Sequence, residues 1–302
     1  MCEDESIHNQ EKMTNMRLKI KVVSCFVLLA VTILALRFCV VGQTLTAEQI
    51  LANHVEALGK KENRGAISTL FAAGLSEYET KSPVVKGRGK AVVISDATNL
   101  YFLMSLNSHD YPYEKIGAFG NKVSIPFINA GNRSLLGGFL NEHPRVLLDS
   151  LFCGSMSLRW IAGFAKNKMP KMKVGGLKKI DGRETYAISL MSAEQGADTF
   201  KVRLYFDAEN FRHVRSEYQR EVKVGRIVFG EQNQLADGKL ALTEEFSDFK
   251  DVGGLTLPHQ YKVTFSSNSN AQMYESSWRI RVTSYFLNQK LAPDFFTFDL
   301  KD

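Results

Sequence analysis

The hydrophobic period changes several times along the chain. Thr46-Ala47-Glu48-Gln49 has the form of a capping box, with Thr46 as N-cap and Gln49 at N3. Ile50, Leu51, Val55 and Leu58 follow at helical spacing, and Gly59 marks a stop, so one amphipathic helix is predicted. From about Ala66 the period moves towards two. Residues 66–80, 84–95 and 99–106 read as strands joined by Pro83 and by Asp96-Ala97-Thr98-Asn99. Tyr111 to Phe119 and Lys122 to Ile125 read as a hairpin across Gly120-Asn121.

Residues 133–165 break this rhythm. Leu135, Leu136, Phe139 and Leu140 precede Pro144, and Val146, Leu147, Leu148, Leu151 and Phe152 follow it. Met156, Trp160 and Phe164 then recur at every fourth position. This predicts two or three short helices, interrupted at Gly137-Gly138, Pro144 and Gly154. They are too apolar for surface helices and are expected to cover something.

From Met172 onwards the alternation is strict. Tyr186, Ile188 and Leu190 alternate with polar or small residues, as do Phe200, Val202, Leu204 and Phe206. Tyr261, Val263 and Phe265 do the same, as do Trp278, Ile280 and Val282. Each such strand has one apolar and one solvated face, the mark of antiparallel sheets. Asp181-Gly182, residues 207–210, Asp237-Gly238 and residues 251–254 carry turn residues. No linker or strict repeat divides residues 43–302. The expected fold is therefore α+β and mostly β, a single strongly curved antiparallel sheet with an N-terminal helix and helices lying against its apolar face.

Ahead of this domain, residues 1–16 read as a tail and 17–42 as a leader. Arg17, Lys19 and Lys21 precede the apolar run Val22 to Leu36, and Val40 and Gly42 fit the small-residue positions of a cleavage site. The span from Val22 to Val41 also equals the roughly 20 residues that cross a bilayer. Two readings stand: a cleaved secretory signal, or an uncleaved anchor tethering the domain to an inner membrane by residues 22–41. Both place the domain in the periplasm or outside the cell. Cys2, Cys25 and Cys39 lie in the tail and leader, which leaves Cys153 alone in the domain and no internal disulfide there. Arg37 and Phe38 before Cys39 are not the small residues that precede a lipid-attachment cysteine.

Candidate chemistry is sparse. The six histidines form no HExxH or HxH pattern, and no metal or cofactor is expected. Gly87-Arg88-Gly89-Lys90 runs into a strand rather than a phosphate-binding helix, GxSxG is absent, and His109-Asp110 reads as a polar loop. Glu244 and Glu245 point to opposite faces of one strand and read as a solvated strand edge. Cys153 reads as a small buried residue at a helix end. Arg212, Arg215, Arg220, Lys223, Arg226, Arg279 and Arg281 read as a basic outer strand face, with acidic lipid as a second reading. No nucleic-acid partner is expected, since interleaved aromatics are few.

Composition agrees with an ordinary globular chain. The 302 residues are 44% hydrophobic and 23% charged, with net charge +6. Residues 1–43 hold five cations and four anions, so the positive balance stays with the domain.

Four segments carry a resemblance to a known family: TAEQILANHVEALG at 46–59, IDGRETYAISL at 180–190, LYFDAENFRHVR at 204–215 and FSDFKDVGGLTLPHQYKV at 246–263. With YEKIGAFG at 113–120 and APDFFTF at 292–298, they resemble the LolA/LolB-like superfamily of exported lipoprotein-carrier domains. The resemblance implies an unclosed antiparallel β-barrel with a helical lid, acyl chains held between them, and binding or transfer without catalysis. The partner it implies is a lipid or acylated protein near a membrane. A protein partner in the cell envelope, met by a domain with a filled core, is the competing expectation. For the lid face the candidates are Leu135, Leu136, Phe139, Leu148, Leu151, Phe152 and Trp160. For the sheet face they are Tyr186, Ile188, Phe200, Val202, Leu204, Val263, Trp278 and Ile280.

Overall fold

The structure is a computed structural model, and it describes residues 45–81, 83–129, 131–165, 171–190, 199–222, 238–269, 272–292 and 294–296. The tail, the leader with its cleavage positions, Lys223, Arg226 and Asp237 lie outside the described residues. No helix among the described residues is long and apolar enough to cross a membrane.

The first helix, α1 (Ala47–Ala57), begins as its sequence predicts. Thr46 Oγ1 accepts from Gln49 N at 3.3 Å, and Gln49 Oε1 accepts from Thr46 N at 2.9 Å. A short helix, α2 (Lys61–Gly65), follows in a stretch for which no element was predicted, and the first strand begins at Leu70 rather than at about Ala66. Arg64 accounts for the turn: its Nη1 donates to the Val55 carbonyl at 2.7 Å and to that of Gly59, folding the segment back on α1.

Five strands come next: β1 (Leu70–Lys81), β2 (Val84–Ser95), β3 (Asn99–Leu106), β4 (Tyr113–Phe119) and β5 (Lys122–Ser124). Seven more follow residue 171: β6 (Met172–Ile180), β7 (Arg183–Leu190), β8 (Thr199–Asp207), β9 (His213–Val222), β10 (Gly238–Val252), β11 (Leu255–Ser269) and β12 (Gln272–Leu287). All twelve form one antiparallel sheet in the order β5-β4-β3-β2-β1-β12-β11-β10-β9-β8-β7-β6, and it is not closed into a barrel. The fold class expected from the sequence is the one observed.

This order has a geometric consequence. The first and last strands pair at the centre, and β5 and β6 are the two free edges. The chain between them must travel from one edge to the other. Twelve strands at about 4.8 Å spacing are roughly 50 Å wide along the arc. The connection crosses the apolar face and covers it. It contains α3 (Leu135–Glu142), α4 (Arg145–Leu148), a 3-10 turn at Gly154–Met156 and α5 (Leu158–Ala165).

Gly137 and Gly138 do not interrupt α3. Ser134 caps it, its Oγ accepting from Gly137 N at 2.7 Å, and Gly137 lies against Ile125 and Glu114 on the sheet side. Pro144 and Gly154 do fall at breaks, as expected.

Curvature has a local source at the centre. The β1–β12 register shifts between Ala73 and Gly74, the position of a bulge. A Cβ on Gly74 would lie 2.1 Å from the Arg281 carbonyl oxygen, so only glycine permits this backbone approach.

Candidate functional site

Among the described residues, the inner face of the sheet and the cover bury most of their apolar side chains against each other. Ile188, Val202, Leu204, Val263, Trp278 and Ile280 are all buried, as are Leu136, Phe139, Leu151, Phe152 and Trp160 on the cover. Tyr186, Phe200 and Leu148 are half-buried, at the margins of the interface. Tyr186 stacks on Phe211, and Phe200 stacks on the His143 ring. Leu135 departs from the expectation. It is 42% exposed and does not face the sheet, because Leu136, Gly137 and Leu140 occupy the inward side of α3. At about 100° per residue, Leu136, Gly137, Phe139 and Leu140 fill one arc of the helix and Leu135 falls outside it.

What the sequence did not disclose is the polar content of this interior. Glu244, expected at a solvated strand edge, is fully buried at the centre. It lies in phase with Leu242 and Phe246, both buried on the inner face of β10. Its Oε1 accepts from the backbone N–H of Cys153 on the cover at 2.8 Å and from the Tyr261 hydroxyl. Its Oε2 is hydrogen-bonded to the Tyr218 hydroxyl at 2.7 Å. The same Tyr218 Oη lies 3.2 Å from the Leu151 carbonyl, also on the cover. Glu245, on the opposite face, is paired with Lys262 at 2.8 Å and with Arg215.

A second carboxyl lies on the other half of the sheet. Glu114 of β4 is 1% exposed and accepts from the hydroxyls of Tyr111 and Ser134. Ser134 is the N-cap of α3, so this contact fixes the start of the cover. Tyr111 in turn accepts from Trp278 Nε1 at 2.9 Å. Burial pushes both carboxyls up to about 7, against the opposing pull of their hydrogen-bond donors.

Further bonds seat the last cover helix. Leu158 N donates to Ser95 Oγ at 2.9 Å, and Trp160 Nε1 donates to His54 Nε2 at 2.9 Å. Arg159 is buried, and its guanidinium serves the carbonyls of Leu147, Leu148 and Gly120 at 3.0, 3.4 and 3.4 Å. His213 stacks on Trp160 with ring centroids 4.3 Å apart. Its Nδ1 is buried without a partner, which burial renders tolerable only in the neutral ring.

Cys153 is buried beside these groups, as the sequence predicts for a small residue at a helix end. Burial, then the neighbouring Glu244 charge, push its thiol well up, so the thiolate is disfavoured in this conformation. Ser150 and Cys153 both have left-handed backbone, at φ 62° and 65°, inside the buried cover. Such conformations cost about 1–2 kcal/mol each for residues with a Cβ.

The outer face is charged. Arg88, Glu77, Arg279, Lys262, Glu245 and Arg215 sit side by side on successive strands β2, β1, β12, β11, β10 and β9. The expected basic face is thus interleaved with acids. His109 and Asp110 are exposed in a loop, and Gly87 to Lys90 lie within β2.

The chain is similar in fold to solved structures of the LolA superfamily and of outer-membrane lipoprotein sorting. One is a LolA superfamily protein from Nitrosomonas europaea, 15% identical, covering 85% of this chain and 99% of that one at a TM-score of 0.47. Another is a domain assigned to outer-membrane lipoprotein sorting from Vibrio parahaemolyticus, 8% identical, covering 82% and 97% at 0.40. A third is a DUF1329 family protein from Desulfovibrio piger, 11% identical, covering 82% and 95% at 0.38. No family model matches the sequence, and no curated protein matches it.

Proposed function

We propose that this chain is an exported, non-enzymatic carrier of a hydrophobic ligand, a lipid or the acyl chains of a lipoprotein, held between the sheet and a displaceable helical cover. The observation that carries this reading is the nature of the cover. It is an apolar segment laid across the open inner face, and its central turn stays in strained backbone at Ser150 and Cys153. An acyl chain entering beneath it would meet the inward side chains of β7 to β12 and replace the contacts now made by Phe152 and Trp160. Each buried CH₂ of the ligand contributes about 0.8 kcal/mol, so affinity needs no catalytic group. The motif resemblance to lipoprotein carriers supports the same reading.

Uptake of a fluorescent fatty acid by the purified protein, with mass spectrometry of an organic extract, tests it. Saturable uptake displaced by phospholipid is expected. Lipid-free protein that takes up nothing sinks the carrier reading. One observation favours a second reading, an envelope protein-interaction module: the interior is filled by the chain's own side chains. That module would bind its partner with the cover closed.

A further inference from the structure

We propose that the cover is latched by protons: Glu114 and Glu244 hold it to the sheet as carboxylic acids and release it as carboxylates. This rests on reading the cover as a displaceable lid.

The two residues occupy equivalent roles at separate places. Glu114 joins β4 to the start of α3 through Ser134, and Glu244 joins β10 to the turn at Cys153. The start of the cover and its central turn are thereby each tied to the sheet through a buried carboxyl. The groups facing Glu244 are the phenols of Tyr218 on β9 and Tyr261 on β11, with the Cys153 thiol and amide on the cover. Those facing Glu114 are Tyr111, Tyr78, Ser134 and the Lys115 backbone. No cation stands among these neighbours. The phenols and the thiol are themselves shifted upward and stay protonated through the range in which the carboxyls titrate.

The hydrogen-bond geometry distinguishes the two states of Glu244. As an acid, its Oε2–H donates to Tyr218 Oη, which is then free to donate to the Leu151 carbonyl 3.2 Å away. The chain of donors runs unbroken from sheet to cover, while Oε1 accepts from Cys153 N and Tyr261. As a carboxylate, Glu244 draws the Tyr218 proton to itself and leaves the Leu151 carbonyl without its donor. It also places an uncompensated charge in the dry interior. Ionisation thus removes the donor of the Leu151 carbonyl and strengthens the bond from Cys153 N–H, but the larger effect is the buried charge, which favours a state in which water reaches the carboxylate. At Glu114 the Tyr111 and Ser134 hydroxyls donate to Oε2 in either state, and it is the charge buried between sheet and cover that disfavours the carboxylate.

The sign follows from linkage. Each carboxyl titrates near 7 when closed and near its ordinary value of 4.5 when water reaches it. The closed state therefore binds more protons, is favoured below about 4.5, and loses stability as pH rises through 7. His54 and His213, also beneath the cover, are shifted downward and act oppositely on the acid side. The wild-type profile alone mixes the two, so the test is a comparison.

Backbone hydrogen exchange on the full chain, corrected for intrinsic rates, is measured at about pH 5 and about pH 8 in the wild type and in Glu114→Gln/Glu244→Gln. Glutamine keeps one acceptor and one donor and carries no charge. The expected result is that protection of residues 145–161, taken as the ratio of variant to wild type, rises at least about tenfold from the lower to the higher pH. Each single variant shows part of the rise. A ratio unchanged across that range overturns the latch. If the variants do not fold, infrared difference titration of the wild-type carboxyls decides it. Two protonated carboxyl bands persisting to about pH 6.5 are expected, and full ionisation below about pH 5.5 overturns the proposal. The exchange readout needs no lipid, so absence of lipid uptake rejects the carrier reading alone, and a flat ratio rejects the latch alone.

Discussion

Trp160 on the cover donates its indole N–H to Nε2 of His54 on α1, 106 residues earlier, at 2.9 Å. Because indole nitrogen only donates, Nε2 must be the unprotonated nitrogen. The ring proton therefore sits on Nδ1 and points at the Phe211 carbonyl 2.9 Å away. One imidazole thus joins the first helix, the cover and the loop before β9, and it does so only when neutral.

Burial lowers His54 to about 4. A group depressed in the folded state contributes stability that is fully present above its unfolded value near 6.5. That contribution is lost as pH falls from there towards about 4. We expect the His54 ring to remain neutral at about pH 5.5 by ¹⁵N NMR, with the proton on Nδ1. A midpoint near the ordinary histidine value would contradict this geometry.

Trp160→Phe removes the donor and keeps an aromatic ring against His213. It takes from buried His54 Nε2 its indole donor, so a loss of about 1–3 kcal/mol is expected in chemical denaturation. A loss within experimental error would mean that the cover contributes little to the closed fold.

Gly154→Ala tests how tightly the cover is seated. Gly154 has φ +39°, and a Cβ there would fall 2.6 Å from Phe246 Cζ and 2.8 Å from the His213 ring. Neither ring has room to retreat, since both are buried in the core. Destabilisation by about 1–3 kcal/mol is expected, read as a lowered unfolding midpoint. An unchanged midpoint would show that the turn adapts.

Arg159→Leu removes the donors now serving the carbonyls of Leu147, Leu148 and Gly120. Leucine fills part of the volume and satisfies none of the oxygens. The expected loss is about 2–4 kcal/mol. Arg159→Lys, a single ammonium that cannot span all three, should recover only part of it.

Cys153 should resist alkylation in the native protein and react on unfolding, since it is buried and its thiol is shifted upward. Peptide mapping by mass spectrometry isolates it from Cys2, Cys25 and Cys39. Native labelling at the unfolded rate would reveal frequent opening of the cover.

Much of the site's apolar frame was legible in the sequence. Alternation placed Ile188, Leu204, Val263 and Trp278 on one face, and all four are buried there. The capping box at Thr46 and the break at Pro144 were equally plain. Glu244 was not. Its phase with Leu242 and Phe246 was available as a signal, but nothing local says that a carboxylate will be tolerated inside. The donors that permit it come from β9, β11 and a cover residue 91 positions away. Leu135 misled for a related reason. It is as apolar as Leu136, and only the docked direction of α3 decides which of the two is covered.

By itself the sequence determined the elements: two-faced strands, a capped first helix and an apolar segment in need of a surface. These follow from the fixed periods of strand and helix, which act over a few residues. Tertiary structure decided that β1 meets β12, that β5 and β6 become distant edges, and that the segment between them must cross the inner face. It also decided that the interior is filled, with two carboxyls at its contacts with the cover. Pairing between distant strands is chosen by how much apolar surface the whole chain can bury at once, and no local pattern contains that sum.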